Sequence, residues 1–384
     1  MISKRVQNMS PSQTLELNSK IAKLRQEGQS VIALNSGEPD FNTPPPIIEA
    51  AHQAMLSGKT KYTQTPGIPE LRDAIARKFK RDNQLIYSAD EIIVSTGAKY
   101  ALTNTFMALC DPGDEVIIPT PCWVSYVEMV KLAGAIPVLV PVHPDNQLDM
   151  EAIEQAITTR TKILLLNSPN NPTGAVADLG FFKKAVAFAK KYDILIAHDA
   201  PYCDLCFDGY EAPSIMEVEG AKDVAIEFNS LSKTYNMAGW RIGMAVGNQK
   251  IIKLLANYKS QIDSSIFMPI LDAGQAALTS DQAWLEGRNR IYQDRRDVVY
   301  QGLKEAGFEV ELPEAALYLW AKLPPKFDDP VKFCADLLKD TGVSMTPGVV
   351  YGASGSDYIR ISIVIPTDRI AEAIERVKVW IEHR

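Results

Sequence analysis

A lysine and an arginine, eight residues apart, follow an apolar run in the segment FNSLSKTYNMAGWRIG at residues 228–243. The run at 224–228 predicts a buried strand, which should end in a solvated turn. Instead it leads to Ser230, Lys233 and Arg241. A lysine amine attacks an aldehyde when burial and a nearby cation lower its pKa, and a guanidinium suits a phosphate dianion. Either these cations are surface charges, or an electrophilic and anionic ligand lies between them.

Polar side chains with other chemistry also follow the predicted strands. They include an indole, an amide, a carboxylate and a phenol, in the segments 97–99 (GAK), 121–123 (PCW), 168–174 (SPNNPTG), 199–202 (DAPY) and 230–233 (SLSK). In open parallel sheets, ligands bind beyond the carboxyl ends of the strands. A simple hydrolase needs few of these groups at once. The whole set is typical of a site for a flat, polar, anionic ring compound.

The elements that position these residues alternate between short apolar runs and helical stretches. Strands are predicted at 91–95, 115–119, 136–140, 162–166, 194–197, 224–228 and 241–246, and the helices between them include 99–109, 124–133 and 181–191. This alternation predicts an α/β fold with a mainly parallel sheet sandwiched by helices. Beyond residue 250 the sequence predicts amphipathic helices at 250–261 and 281–305, and later a strand at 358–362 and a helix at 368–382. We therefore predict a large domain over residues 46–280 and a smaller α+β domain from 1–45 plus 281–384.

Composition and charge exclude several classes of protein. The chain has 384 residues and a net charge of −7 without a basic block, so nucleic acid is not an expected partner. No apolar run approaches the length of a membrane span, and the first residues lack the apolar core of a signal peptide. Five cysteines without disulfide spacing fit a reducing compartment, and the pair Cys203 and Cys206 lacks the further ligands of a zinc site. We expect a cytoplasmic protein without membrane contact and without a metal.

Several motifs in combination resemble the pyridoxal-phosphate-dependent aminotransferases of class I, the fold-type I family that includes aspartate aminotransferase. They are SLSK followed by GWRIG, PNNPTG, and YTQTPGIPELR, and the likeness runs from Ser36 to Arg360. The first half is most similar to bacterial aspartate aminotransferases. The stretch from 198 to 247 and the segment IDSSIFMPILDAG resemble LL-diaminopimelate aminotransferases. The resemblance implies pyridoxal 5′-phosphate as cofactor and a homodimer with shared active sites.

The resemblance implies catalytic roles for residues around the cofactor ring. Lys233 would form the Schiff base with the cofactor and later move a proton at the substrate Cα. Asp199 would pair with the pyridine nitrogen, Tyr202 and Asn171 would hydrogen-bond the ring 3′-oxygen, and Trp123 would stack on the ring. Plain structural interpretations remain for some of them, because a strand-end Asp often caps a turn and a Trp among apolar neighbours is often a core residue.

The resemblance also implies a phosphate site and a substrate site. The phosphate would be bound by Ser230, Arg241, the helix start at Gly97, Ala98 and Lys99, and Tyr62 from the neighbouring subunit. The substrate α-carboxylate would be bound by Arg360 and the backbone of Gly37, with Trp123, Asn171 and Lys99 also facing the substrate. Lys99 is equally compatible with an exposed residue in the first turn of a helix.

Two other classes are compatible with part of the sequence. Ser230-x-x-Lys233 is also the S-x-x-K of serine β-lactamases and penicillin-binding proteins, which need a later S-x-N and a K-T-G. The suggestive Ser168-Pro-Asn170 lies upstream instead, and residues 339–342 read KDTG. A ligand-sensing regulator would need a DNA-binding module, for which residues 1–35 are too short and not basic. The sequence disfavours both classes.

The predicted function is therefore transfer of an amino group between an L-amino acid and a 2-oxo acid such as 2-oxoglutarate, through a Schiff base on Lys233. Lys99, together with Thr14 in the segment PSQT, favours a donor with a second carboxylate, namely aspartate or glutamate. The second half of the chain favours a long donor with a distal ammonium and carboxylate. LL-Diaminopimelate, or another class I specificity, is accordingly the alternative.

Overall fold

The computed structural model describes residues 2–7, 9–10 and 13–384, without the side chains of residues 4, 5 and 13–15. The N-terminal part contains four helices and one short strand: α1 (Lys4–Gln7), α2 (Gln13–Gln26), β1 (Ile32–Ala33), α3 (Pro45–Leu56) and α4 (Pro69–Asn83). Proline lies in the first turn of both α3 and α4, where its missing N–H costs no hydrogen bond.

A seven-stranded sheet forms the centre of the fold. Its strands are β2 (Ile92–Ser95), β3 (Glu115–Thr120), β4 (Ile136–Pro141), β5 (Thr161–Asn167), β6 (Leu195–Asp199), β7 (Ala225–Ser230) and β8 (Gly243–Gly247). They are arranged in the order β2-β8-β7-β6-β5-β3-β4, and only β8 runs antiparallel to its neighbours. The mainly parallel sheet predicted from the sequence is confirmed. The predicted strand 241–246 was wrong at its start, because Arg241 adopts a left-handed conformation with φ 55° before β8 begins.

Helices cover both faces of this sheet. They are α5 (Ala98–Leu109), α6 (Ser125–Leu132), α7 (Met150–Gln155), α8 (Leu179–Tyr192), α9 (Ala221–Val224), α10 (Leu231–Thr234), α11 (Gln249–Ser260) and α12 (Met268–Thr279). Successive strand residues pack into different cores, as the period of two requires. Ile92 and Val94 join the core that contains α4, α8 and α12, whereas Ile93 joins the core under α5, α6 and α11. The central strands are therefore mostly apolar on both faces, with the buried and hydrogen-bonded pair His198 and Glu227 in β6 and β7 as an exception.

The C-terminal part builds a separate small sheet. Its elements are α13 (Ala283–Glu305), β9 (Glu309–Val310), β10 (Tyr318–Lys322), α14 (Pro330–Thr341), β11 (Val343–Ser344), β12 (Thr346–Pro347), β13 (Tyr358–Ser362) and α15 (Thr367–Glu382). Four of these strands form an antiparallel sheet in the order β12-β13-β10-β9, while β11 pairs in parallel with β1 from the N-terminal part. The domain bounds predicted from the sequence stay a prediction.

A membrane-crossing helix would have to be long and apolar throughout, and none of the helices in the described ranges meets that condition.

Candidate active site

A cavity of about 240 Å³ lies beyond the carboxyl ends of the central strands. The parallel strands deliver their last residues to this edge, and the reversed strand β8 begins there, which brings Arg241 to the same place. The C-terminal sheet contributes Arg360 and Tyr318, and the segment after β1 contributes Gly37. The cavity wall contains all of the site residues predicted from the sequence except Gly97 and Tyr62: Gly37, Ala98, Lys99, Trp123, Asn171, Asp199, Tyr202, Ser230, Lys233, Arg241 and Arg360.

Lys233 lies on α10, directly after the buried strand β7. Its Nζ donates a hydrogen bond of 2.6 Å to the backbone oxygen of Gly37. Burial lowers the pKa of the Lys233 amine to about 8; the Glu38 carboxylate opposes this shift, and the charges of Arg241 and Arg360 assist it. An amine with a pKa near neutrality is partly unprotonated at physiological pH. It can then act as a nucleophile or as a base.

The backbone of α10 is held in place by the buried guanidinium of Arg288 and the partly buried carboxylate of Asp204. Arg288 donates hydrogen bonds to the carbonyl oxygens of Lys233, at 3.1 Å, and of Thr234. The Thr234 hydroxyl donates to Asp204 at 2.8 Å, and Asp204 in turn accepts from the buried Lys78 amine at 3.0 Å. These bonds satisfy carbonyl groups at the end of a helix too short to be stable alone. They fix the direction in which the Lys233 side chain leaves the backbone.

Asp199, the last residue of β6, has a buried carboxylate of which only one oxygen accepts a hydrogen bond. Its Oδ2 accepts a 2.5 Å hydrogen bond from the Tyr126 hydroxyl, while Oδ1 has no hydrogen-bond partner among the described residues. Burial raises the pKa of Asp199 to about 6, against the lowering effects of the Tyr126 bond and of His198. A buried oxygen without a partner is costly. An N–H group of a bound ligand, particularly a cationic one, would remove that cost.

Tyr202 and Asn171 present hydrogen-bonding groups to the same cavity. The Tyr202 hydroxyl lies 2.8 Å from the Tyr318 hydroxyl. Burial, with the neighbouring Tyr318, raises the pKa of Tyr202 well above its usual value. Tyr202 therefore stays protonated and can donate a hydrogen bond. The Asn171 amide is 6% exposed, and its Oδ1 accepts from Arg360 at 3.0 Å.

Arg360, in β13, is a buried cation whose protein partners are neutral. Its Nη1 donates to Asn171 and its Nη2 donates to the Asn35 backbone oxygen at 2.6 Å. The guanidinium lies 4.3 Å from the ring centre of Tyr318 and 5.0 Å from that of Tyr351. Within the described ranges no carboxylate lies within ion-pair distance of Arg360, and the residue is only 4% exposed. Such a guanidinium is suited to bind the carboxylate of a ligand through two parallel hydrogen bonds.

The opposite end of the cavity presents donors for an anion. Gly97 precedes α5 with φ 84°, and a Cβ atom there would lie 2.6 Å from Nη2 of Arg241. Only glycine thus lets the guanidinium approach the start of the helix, where backbone N–H groups are free. The Ser230 hydroxyl accepts from the backbone N–H of Ser232 at 3.2 Å, which leaves its own hydrogen available. Guanidinium, hydroxyl and helix N-terminus together suit a phosphate group.

Lys99 and Trp123 lie side by side on another wall. The Lys99 Nζ lies 5.2 Å from the Trp123 ring centre and donates to the Ser125 hydroxyl at 3.2 Å. Burial, assisted by Arg241, lowers the pKa of Lys99. Trp123 is half-buried and contacts the edge of the Tyr126 ring at a centroid distance of 5.3 Å. The ammonium group of Lys99 is thus available to an anionic part of a ligand.

One predicted residue, Tyr62, is not brought to the cavity by this chain. Tyr62 is 93% exposed and does not line the cavity, so its predicted role across a subunit boundary stays a prediction. The side chain of Thr14 lies outside the described residues.

Sequence reasoning missed several residues of the cavity wall. Tyr126 follows Trp123 by three residues in the first turn of α6, so the helical spacing was a usable signal. Tyr318 lies on β10, next to β13 in the small sheet, and its nearness to Arg360 depends on a strand pairing with no local signal. Tyr351, Ser232 and Asn167 also line the cavity.

Cys203 and Cys206 do not form part of this cavity. Burial raises the pKa of both thiols, that of Cys206 to about 12. Over the described part of the chain, no cluster of three or more His, Cys, Asp or Glu side chains has the arrangement to hold a metal ion.

Known proteins resemble this chain along nearly its whole length. The family profile described as aminotransferase class I and II matches residues 29–377. The LL-diaminopimelate aminotransferase of Dehalococcoides mccartyi is 40% identical over 380 residues, which cover 98% of each protein. That of Gloeobacter violaceus is 40% identical over 379 residues and 97% of each protein. The solved structure of aspartate aminotransferase from Thermus thermophilus with maleate superimposes with a TM-score of 0.93 at 39% identity, covering 98% of both chains. The predicted fold class is confirmed.

One carboxylate oxygen of Asp199 lacks a hydrogen bond, so we expect that removing the charge of this side chain stabilises the protein in a pH-dependent way. The pKa of Asp199 is raised to about 6 in the folded protein, whereas it has its lower, usual value in the unfolded chain. The folded protein is therefore more stable at low pH, where Asp199 is uncharged, and loses that stability as the pH rises through about 6. In the ligand-free protein, Asp199→Asn should therefore increase the free energy of unfolding at pH 7.5 by up to about 3 kcal/mol. The gain should shrink towards pH 4, and urea unfolding at both pH values measures it.

The matched control is Glu219→Gln, which neutralises an exposed carboxyl outside the cavity. It should show no comparable difference between the two pH values. A ligand-free Asp199→Asn variant less stable than the unmodified protein at pH 7.5 would contradict the account of Asp199 as an uncompensated buried charge.

Proposed function

Because this chain belongs to the class I and II aminotransferases, we propose that it moves an amino group between LL-diaminopimelate and 2-oxoglutarate. Aminotransferase activity and pyridoxal 5′-phosphate as cofactor come with the family. The sequence alone favoured aspartate or glutamate as donor, with LL-diaminopimelate as the alternative. The similarity to enzymes named for LL-diaminopimelate over almost the whole chain supports that alternative better, and it is the observation that carries the proposal.

The residues of the cavity fit pyridoxal phosphate. The free Oδ1 of Asp199 offers a partner for a protonated pyridine nitrogen. Arg241, Ser230 and the N-terminus of α5, which begins at Ala98, provide donors for a phosphate at the opposite end of the cavity. The lowered pKa of Lys233 suits an amine that bonds an aldehyde. The pyridine nitrogen, the phosphate and the aldehyde of pyridoxal phosphate each require a different kind of partner, and Asp199, Arg241 and Lys233 offer these partners in a single cavity.

We assign the catalytic roles from this fit. Bound pyridoxal phosphate supplies an aldehyde for amino-group exchange and a ring that takes up the electron pair left at the substrate Cα. Lys233 would hold the cofactor through its amine and would serve as the base for the proton at that Cα. Asp199 would keep the ring nitrogen protonated, Tyr202 and Asn171 would donate to the ring oxygen, and Trp123 would pack against the ring.

The substrate is positioned by charges at two places. Arg360 binds the α-carboxylate, and the backbone of Gly37 borders the same region. Lys99 attracts the distal carboxylate, which LL-diaminopimelate, 2-oxoglutarate, aspartate and glutamate all have. Both substrates of the proposed reaction can therefore use the same two cations.

Aspartate or glutamate with a 2-oxo acid is the second candidate reaction. The observation that favours it is the Lys99 ammonium group at the cavity wall, which suffices for a donor that carries only a distal carboxylate. The similarity to the Thermus thermophilus enzyme supports it as well.

A homodimer completes the proposal. Tyr62 is almost fully exposed on its own chain and does not line its own cavity, which leaves it free to contact the cofactor phosphate of a second copy. A twofold interface would supply this residue to both sites at once.

Lys233→Ala should abolish covalent retention of the cofactor, because no other amine of the cavity combines this position with its lowered pKa. Borohydride reduction of the loaded protein followed by peptide mass spectrometry should place the cofactor on Lys233 and find none in the variant. Turnover should fall about a thousandfold or more, since proton transfer by a positioned base is also lost. Lys250→Ala, at an exposed lysine of α11, is the control and should retain both properties. Near-normal turnover in Lys233→Ala would overturn the mechanism.

A donor panel separates the two candidate reactions. With 2-oxoglutarate as acceptor, kcat/KM for LL-diaminopimelate should exceed that for L-aspartate by roughly tenfold or more, a difference of about 1.4 kcal/mol. Lys99→Ala should lower kcat/KM about tenfold or more for donors with a distal carboxylate and much less for L-alanine, because it removes a charge-assisted contact. Activity with aspartate but none with LL-diaminopimelate would establish the second candidate instead.

Mixed dimers test the shared site. Tyr62→Ala and Lys233→Ala chains should each be impaired alone. After subunit exchange, hybrid dimers contain one site with both residues, so activity should return to about a quarter of the original, the statistical share. Absence of recovery, with exchange demonstrated by mass labelling, would mean that Tyr62 does not act across a subunit boundary.

A further inference from the structure

Two buried tyrosine hydroxyls meet in the wall of the cavity. The Oη atoms of Tyr202 and Tyr318 lie 2.8 Å apart, and their rings meet edge to face with centroids 5.6 Å apart. Tyr202 is 4% exposed and Tyr318 is 2% exposed, so water does not compete for this bond. We propose that Tyr318 is a positioning residue that turns the Tyr202 hydroxyl towards the cofactor ring oxygen while its ring supports Arg360. This inference rests on the proposed function.

The direction of the hydrogen bond follows from counting hydrogens. Each phenol has a single hydrogen to donate. If Tyr202 gives its hydrogen to the ring oxygen, the hydrogen between the two tyrosines must belong to Tyr318. A hydroxyl that accepts one hydrogen bond becomes a better donor of its own, because successive bonds polarise one another in a medium of low dielectric constant. Tyr318 therefore both orients the Tyr202 hydroxyl and strengthens its donation.

The backbone at Gly37 makes room for this arrangement. A Cβ atom at Gly37 would collide with the Tyr318 hydroxyl. The carbonyl oxygen of the same residue accepts the hydrogen bond from Lys233. The segment that contacts the predicted cofactor lysine is thus also the one that leaves space for the Tyr318 hydroxyl.

The ring of Tyr318 has a second contact, with the predicted substrate site. The Arg360 guanidinium lies 4.3 Å from the centre of the Tyr318 ring, within the range of a favourable cation–π contact. Tyr318 thus contacts, through different atoms, a residue that serves the cofactor and a residue that serves the substrate. The hydroxyl and the ring can therefore be tested separately.

A purely structural role would depend on the ring alone, since Tyr318 belongs to the hydrophobic core of the small sheet. Tyr318→Phe preserves the ring and removes only the hydroxyl. A hydrogen bond to the deprotonated ring oxygen favours that form. A weaker donation should therefore raise the pH at which the visible absorption of the bound cofactor changes.

The experiment is a spectroscopic pH titration of the loaded enzyme. Tyr318→Phe should raise the absorption midpoint by about 0.4 pH unit, because the cooperative part of a hydrogen bond to a charged group is about a tenth to a third of it. Tyr202→Phe should raise the midpoint further. The double variant should match Tyr202→Phe, since Tyr318 acts through Tyr202. Tyr87→Phe removes a buried hydroxyl outside the cavity and should titrate like the unmodified enzyme.

Substrate saturation separates the ring from the hydroxyl. Tyr318→Phe should leave the KM for 2-oxoglutarate within about twofold, whereas Tyr318→Leu should raise it about fivefold, since a cation–π contact contributes about 1 kcal/mol. Thermal unfolding of each variant checks that it is folded. A Tyr318→Phe midpoint equal to that of the unmodified enzyme, or a double variant with additive shifts, would overturn the inference and leave the proposed function standing. An unmodified enzyme that holds no absorbing cofactor would overturn both.

Discussion

Buried charges without charged partners are the constraint on which this site depends. Asp199 has an unsatisfied oxygen, Arg360 contacts only neutral groups, and Lys233 bonds to a backbone carbonyl. Each arrangement costs stability in an empty cavity, because a desolvated charge is poorly compensated by neutral dipoles. Together they place one negative and two positive side chains in the wall of one cavity, which suits a ligand that carries charges of both signs. The ligand-free protein is strained electrostatically in the places where a cofactor and an amino acid would relieve it.

The surrounding fold stabilises these buried charges in their positions. The apolar side chains of the central strands fill the cores on the two faces of the sheet, and the polar residues of the cavity follow the strand ends. Tyr126 satisfies the other oxygen of Asp199, and the clamp of Arg288 and Asp204 fixes the short helix that carries Lys233. The polar groups in these contacts are hydrogen-bonded to one another or to the backbone. The cavity can therefore keep its unpaired atoms in place without local collapse.

Sequence reasoning went furthest where the signal was local. The central strands and the helices α5, α6, α8, α11, α13 and α15 were predicted within a few residues, because their hydrophobic periods are strong. The helix α12 was missed; it carries Pro269 in its first turn and Gly274 in its interior, two residue types that weaken a helix prediction from sequence. Most residues of the cavity follow strand ends or match family motifs, so the sequence could indicate them. Tyr318 could not be indicated, since its importance comes from a pairing between β10 and β13 that brings distant segments together. The proposed role of Tyr62 would require a second chain, which one sequence does not describe.

The reversed strand β8 has a mechanical consequence. Ser230 and Gly243 are paired neighbours in the sheet, so the connection from 231 to 242 begins and ends at the same point. Lys233 and Arg241 both lie on this closed connection, and the distance between them is set by twelve residues and one strand pair. Arg360, in contrast, belongs to the small sheet. A shift of that sheet against the central one would move Arg360, the proposed contact of the substrate carboxylate, while the spacing of Lys233 and Arg241, the proposed cofactor contacts, stayed constant. The fold would thereby allow the substrate site to change shape while the cofactor site keeps its geometry.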